Sequence, residues 1–242
     1  MNSNQLKTKY QLIWDDHQAS KFNTSTESHD LSLLERGFVF QYDEDERECE
    51  LLFIGINPAM NREHGPWKDS YQRPIENDDE KHLAYFKSFV SIAKELRSPT
   101  YHWQGKWTHI DIFAFRETNQ NFIKTNLLNP KNQEGIDFLY TQLMIARERI
   151  IHIRPKVIVV SNALVRMFMG KERGFLEDKK EEYGVWMDFR FEFDPEIGTD
   201  VIIEPQELKG TYVFFTSMLS GQRALDNGSK ERLVWHIARA LK

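Results

Sequence analysis

Polar side chains that could take part in chemistry lie in or just after strand-like segments at three places in this chain. Asn57 comes just after an apolar run that ends at Gly55, Asp111 lies in a second run, and Ser217 follows a third. In parallel α/β sheets, ligands bind where the strands end, at their carboxyl edge. An amide offers one hydrogen-bond donor group and one acceptor, whereas an ionised carboxylate offers acceptors only. The expected chemistry is therefore recognition and positioning of a ligand.

The elements that must position these side chains are short apolar strands separated by segments of helical length. We predict strands at 51–55, 107–115, 155–161 and 212–216, and helices at about 78–93, 134–153 and 229–241. Alternation of this kind requires crossover connections, which favour parallel strands. The sequence therefore predicts an α/β fold, a three-layer sandwich with a central four-stranded parallel sheet flanked by helices.

Three further segments complete the predicted organisation of one domain over residues 1–242. Residues 1–48 are expected to form an N-terminal helical and strand extension, and 184–204 an inserted β-hairpin. The acidic turn that begins at Asp43 favours a second hairpin, between a strand at 37–42 and the strand that ends at Gly55. Residues 60–78 form a long polar loop, which is typical of functional or disordered segments.

Composition limits the classes of function that need to be considered. The chain has 242 residues, 40% hydrophobic residues and a net charge of −5, which gives no global attraction to nucleic acid. Its single cysteine, Cys49, argues against a disulfide framework or a multi-thiolate metal site. No Gly-rich nucleotide motif, metal-ligand spacing or membrane-length apolar run is present. We expect a cytoplasmic monomer without metal, cofactor or membrane partner.

Two motifs in this order carry a resemblance to a known family. Gly55-Ile56-Asn57-Pro58 follows the first strand, and a Ser-containing loop, 217–223, follows the last strand before the C-terminal helix. This arrangement resembles the uracil-DNA glycosylase superfamily over roughly residues 50–240. The Asn form of the first motif is similar to that of the mismatch-specific and single-strand-selective branches. The second motif lacks the His and Pro of its commonest form.

The resemblance implies a monofunctional DNA glycosylase of base excision repair, with DNA as its partner and no cofactor. Asn57 would orient a water for attack at the sugar C1′ of a flipped nucleotide, and Ser217 would be the second catalytic residue. Such an enzyme depends on positioning and on stabilisation of the departing base, because an amide is a weak base. The residues implied in DNA binding are Pro58, Lys68, Ser220, Gln222 and Arg223.

The resemblance also implies a pocket for the flipped base. Its expected residues are Ile56, Trp67, Tyr71 and Asp111, with the two aromatic side chains placed to stack on the base. Several branches of the family read the base with an Asn, and Asp111 is the nearest match here. An ionised Asp accepts hydrogen bonds only, while a buried and protonated one regains a donor. Uracil is therefore not the default substrate.

Ordinary structural roles compete with each of these assignments. Asn57 could cap local backbone, and Asp111 could pair with a nearby cation or with His109. Ser217 and Arg223 could belong to a solvated turn. At the level of function, the alternatives are a non-catalytic relative that binds nucleic acid or a nucleotide, and a cytosolic α/β domain with a small-molecule role.

Overall fold

The structure is a computed structural model. It describes residues 1–24, 31–40, 46–59, 67–68, 86–171, 186–219 and 224–242, with backbone alone for Trp67 and Lys68. Several predictions fall outside these residues: Tyr71, Ser220, Gln222, Arg223 and most of the 60–78 loop. The following helices and strands are those of the described part of the chain.

The helices, in chain order, are α1 (Ser3–Asp16), α2 (Lys87–Leu96), α3 (Gln120–Phe122, continued by a π-helical turn at Ile123–Leu127), α4 (Gln133–Ile153), α5 (Ala163–Met169) and α6 (Asn227–Ala240). The strands are β1 (Phe38–Val39), β2 (Cys49–Gly55), β3 (Trp67–Lys68), β4 (Lys106–Asp111), β5 (Val157–Val160), β6 (Arg190–Asp194), β7 (Thr199–Glu204) and β8 (Tyr212–Phe215). None of these helices is long and apolar enough to cross a membrane.

The chain divides into two compact units that interleave along the sequence. The first consists of Met1–Glu44, Ile56–Tyr71 and Ile110–Arg149, and the second of Asp45–Gly55, Gln72–His109 and Ile150–Lys242. The sequence predicts a single domain over 1–242, and that remains a prediction.

A six-stranded sheet, in the order β4-β2-β5-β8-β7-β6, contains most of the described strand residues. β2, β5 and β8 are parallel, with Leu52 opposite Ile158 and Ile158 opposite Val213. β5 is apolar and buried throughout, as expected of a strand covered on both faces. The α/β class and the parallel centre are confirmed.

The prediction of a four-stranded sheet was wrong because the predicted inserted hairpin belongs to the same sheet. β6 and β7 are antiparallel, with Phe193 opposite Asp200. β7 also pairs with β8, so that Asp200 lies opposite Val213 and Val201 opposite Tyr212. Backbone pairing along β8 therefore extends the sheet by two antiparallel strands.

The strand order reverses between β2 and β5. From β2 the chain proceeds to β4 on one side, whereas from β5 it proceeds to β8 on the other. In open α/β sheets, a ligand-binding crevice forms outside the carboxyl ends of the strands at such a point. β2 ends there at Gly55, and the chain continues directly into Ile56 and Asn57.

The first unit has an aromatic core and a small sheet of its own. β1 pairs in parallel with β3, and Phe38 also bridges to Phe115. The ring of Phe38 lies edge-on to Tyr10 and close to Phe138. The hairpin predicted between residues 37–42 and β2 was wrong, because β1 takes β3 as its partner and β2 lies between β4 and β5.

Candidate functional site

The loop that follows β2, hereafter the β2 loop (residues 56–59), runs beside the segment that follows β4. Phe113 N donates to Ile56 O at 3.0 Å, and Glu117 N donates to Pro58 O at 3.1 Å. Ile56 and Pro58 are buried, whereas Asn57 between them is half-buried. These backbone bonds hold the β2 loop against residues 112–119, hereafter the β4 segment, within the first unit.

The Asn57 side chain is oriented by two hydrogen bonds from its amide nitrogen. Nδ2 donates to Pro58 O at 2.9 Å and to Glu117 O at 2.6 Å. Both acceptors are carbonyls, so only the NH₂ end of the amide can face them. No described residue donates to Oδ1. Because the side chain is half-buried, this oxygen can accept a hydrogen bond from a water or a ligand.

A buried ion pair anchors the β4 segment. Arg36 Nη1 lies 2.7 Å from Glu117 Oε2, and the two side chains are 0% and 1% exposed. The other carboxylate oxygen, Oε1, accepts from Asn119 N at 2.7 Å, and Arg36 Nε donates to Leu31 O at 3.1 Å. Sequence reasoning missed both residues, since 81 positions separate them and neither lies in a motif.

Helix α4 supplies a second buried anchor for the β4 segment. Gln142 is fully buried, and its Oε1 accepts from Ala114 N at 2.9 Å, while its Nε2 donates to Phe138 O at 3.3 Å. Ala114 O in turn accepts from Val39 N at 2.8 Å. The backbone after β4 is therefore fixed by polar side chains from outside the segment.

Asp111 is the last residue of β4 and lies in the electrostatic field of Arg149. Burial raises the pKa of Asp111 to about 7, and the Arg149 guanidinium acts in the opposite direction. Burial likewise raises the pKa of Tyr10 to about 12, with Asp111 adding to the increase. Arg149 is therefore one cation that acts on Asp111, and His109 is buried against the rings of Phe86 and Phe89.

The loop after β8, hereafter the β8 loop (residues 217–219), has a different character. Ser217 and Met218 are exposed, and Leu219 is buried. Leu225 N donates to Met218 O at 3.0 Å, which returns the chain toward α6. Ser217 belongs to the second unit and Asn57 to the first, so their joint action remains a prediction.

Of the predicted site residues, the structure brings Ile56, Asn57 and Pro58 together, with Asp111 in the same unit. It places Trp67 and Lys68 in β3, which pairs with β1. In the described part of the chain, no group of three or more His, Cys, Asp or Glu side chains could hold a metal ion. The predicted roles of these residues in binding a base or DNA remain predictions.

A second concave region lies at the amino ends of the strands in the second unit. It has a volume of about 550 Å³ and is lined in part by Glu50, Trp103 and Lys156. Glu50 Oε1 lies 2.5 Å from Lys156 Nζ, and its Oε2 accepts from Trp103 Nε1 at 2.8 Å. These polar groups therefore satisfy one another, which makes this region a poorer candidate than the β2 loop.

No protein-family model, curated protein or solved structure matches this chain.

Proposed function

We propose that this protein is a monofunctional DNA glycosylase that hydrolyses the N-glycosidic bond of a flipped, deaminated or modified base. The observation that carries the proposal is the fixed orientation of the Asn57 amide, which turns Oδ1 away from the backbone carbonyls that hold Nδ2. A water donating to Oδ1 would be held at a defined point. The position of Asn57, just past a strand at the reversal of strand order, supports a role in ligand binding.

The reaction needs little acid–base chemistry from the protein. The water oxygen forms a bond to C1′ as the C1′–N bond breaks, and the base departs with the bonding electron pair. The attacking water loses one proton to solvent, and the base anion later gains one. Asn57 is neutral and weakly basic, so its contribution is to position the nucleophile, an effect that accounts for large accelerations when the geometry is fixed.

The second catalytic residue in the proposal is Ser217, whose exposed hydroxyl suits contact with a phosphate or the departing base. Asp111 is the proposed reader of the base edge. With a pKa near 7 it can present either a donor or acceptors alone at neutral pH, so this residue does not by itself specify uracil. The proposed enzyme works on DNA as a cytoplasmic monomer.

The test is an excision panel of oligonucleotides, single- and double-stranded, that carry uracil, hydroxymethyluracil, hypoxanthine or xanthine. Alkali cleavage of the abasic product reports excision. We expect the wild-type protein to excise at least one of these bases and Asn57→Ala to lose that activity. If no oligonucleotide is cleaved, or if Asn57→Ala is as active as wild type, the proposal fails.

A second candidate function is favoured by the same two hydrogen bonds. Asn57 Nδ2 donates to both Pro58 O and Glu117 O, so the role of this side chain could be solely to stabilise the conformation of the β2 loop. The protein would then be a non-catalytic one that binds nucleic acid or a nucleotide. That protein would bind an oligonucleotide with an affinity that falls as salt rises, without excision. Binding titrations at two salt concentrations, beside the excision panel, distinguish the two candidates.

A further inference from the structure

We propose that the buried Arg36–Glu117 ion pair is a positioning device that sets the orientation of Asn57 for the reaction. This inference rests on the proposed function, because it assigns the pair a role in that same site. Neither residue is expected to touch the substrate, so both are positioning residues.

Glu117 contacts the β2 loop through its backbone N–H and its backbone carbonyl. Its N–H donates to Pro58 O at 3.1 Å, and its carbonyl accepts from Asn57 Nδ2 at 2.6 Å. The position of the backbone at residue 117 therefore determines where the Asn57 amide can lie. A rotation of this backbone would remove the 2.6 Å bond and allow the Asn57 side chain to turn.

The Glu117 carboxylate in turn fixes the backbone at residue 117. Oε2 accepts a hydrogen bond from Arg36 Nη1 at 2.7 Å, and Oε1 accepts one from Asn119 N at 2.7 Å. Both carboxylate oxygens are thus engaged, one by a distant residue and one by the chain two residues ahead. The Glu117 side chain has little freedom to change conformation while the ion pair is intact.

The Arg36 side chain is itself oriented by hydrogen bonds to nearby backbone carbonyls. Its Nε donates to Leu31 O at 3.1 Å, and its Nη1 lies 3.5 Å from Arg116 O. Arg116 Nη1 donates in return to Arg36 O at 3.0 Å. Lys could not reproduce this arrangement, because it lacks the planar fork of the guanidinium.

A buried ion pair contributes little to stability on average, so its presence calls for a further explanation. Replacement of both partners by apolar residues of similar volume is often neutral or stabilising. The charged pair supports the backbone that binds the Asn57 amide, which points to orientation of the β2 loop as its role.

The test is the double substitution Arg36→Met with Glu117→Leu, which removes both charges and fills the space with apolar atoms. The matched control is Lys171→Met with Asp200→Asn, which removes an ion pair in the second unit whose side chains are 28% and 12% exposed. Arg36→Lys is a further variant, for use if the double variant does not fold.

The primary readout is the side-chain ¹⁵N–¹H resonance pair of Asn57 in protein labelled with ¹⁵N-asparagine, assigned by its loss in Asn57→Asp. We expect the double variant to shift this pair and to speed hydrogen exchange of the amide protons, while the control leaves both unchanged. In a single-turnover excision assay, we expect the rate to fall about 10- to 100-fold with DNA affinity unchanged.

Each outcome bears on the inference separately from the proposed function. If the Asn57 resonances shift but the wild-type protein excises no base, the positioning role is supported and the glycosylase proposal fails. If the protein remains folded and the Asn57 resonances and excision rate are unchanged, the positioning role is overturned even though excision is present. Arg36→Lys is expected to give the same shift, and an unchanged spectrum for a folded Arg36→Lys protein would also overturn it.

Discussion

The β2 loop and the β8 loop both follow parallel strands of one sheet, but they are held by different kinds of contact. In the β2 loop, backbone and side-chain bonds to the β4 segment fix Asn57, and a buried ion pair supports that segment. In the β8 loop, Ser217 and Met218 are exposed, and one described backbone bond joins Met218 to Leu225. Chemistry that depends on a fixed side chain therefore suits the β2 loop better.

This difference also separates two tasks that a base-excision site must perform. A group that orients a nucleophile must be held within a fraction of an ångström, and the loss of that precision is costly in rate. A group that contacts a phosphate can be adaptable, because a backbone contact positions the ligand without reading its sequence. The β2 loop has the properties of the first group, and the β8 loop those of the second.

The largest effect on stability is expected from removal of one partner of the buried ion pair. Arg36→Met leaves the Glu117 carboxylate buried without its cation, which costs about 3 to 5 kcal/mol. Arg190→Met, in an exposed pair with Glu204 of the second unit, should cost at most about 1 kcal/mol. Urea denaturation measures both free energies of unfolding. Equal losses of stability in the two variants would show that the ion pair behind the β2 loop contributes no more than an ordinary ion pair.

A smaller loss is expected from Gln142, the second anchor of the β4 segment. Gln142→Leu removes the acceptor for the buried N–H of Ala114 and should cost about 1 to 3 kcal/mol. The matched control is Gln133→Leu on the same helix, where the side chain is exposed and bonds to Asp137. If both variants unfold at the wild-type urea concentration, the β4 segment does not need this anchor.

Asp111, at the end of β4, is expected to make the free energy of unfolding depend on pH. Its pKa is raised from 3.8 to about 7 by burial, so the folded state binds a proton that the unfolded state releases between those values. Its contribution to stability is therefore complete below about pH 4 and is lost as pH rises through 7. Relative to Asp111→Asn, the wild-type free energy of unfolding should fall by about 2 kcal/mol between pH 5 and pH 7. Parallel pH profiles for the two proteins would contradict this.

The smallest effect on stability is expected in the β8 loop. Ser217→Ala changes an exposed hydroxyl and should alter the free energy of unfolding by no more than about 0.5 kcal/mol. Oligonucleotide affinity should weaken modestly, and the slope of log affinity against log salt should stay nearly constant, since serine carries no charge. A loss of stability comparable to that of Gln142→Leu would show that the β8 loop is as firmly held as the β2 loop.

Local patterns in the sequence were sufficient for the parallel strands β2, β5 and β8 but not for the contacts that fix the site. The β-branched run of β5 and the apolar run of β2 predict their strands, because burial on both faces requires such residues. The strand predicted at 107–115 ends at Asp111 instead, and beyond that end Phe113 N bonds to Ile56 O. That bond joins residues far apart in sequence, so no local periodicity indicates it.

The same reason explains why the anchors of Asn57 were missed. The Gly55-Ile56-Asn57-Pro58 motif indicates the position of the asparagine, but Arg36 and Glu117 have no motif and lie 81 residues apart. An isolated Arg or Glu in a sequence is most often exposed, and its burial follows only from tertiary packing. Glu117 lies two residues before Asn119, the N-cap of α3, and nothing in the sequence around it indicates that it supports Asn57.

The most direct test of the central claim compares the two loops in one excision assay. Single-turnover rates on the base identified by the oligonucleotide panel are measured for the wild type, Asn57→Ala and Ser217→Ala, with folding verified for each. We expect Asn57→Ala to be slower by about 100-fold or more, and Ser217→Ala by less than about 10-fold. A folded Asn57→Ala protein that excises at the wild-type rate would contradict the account.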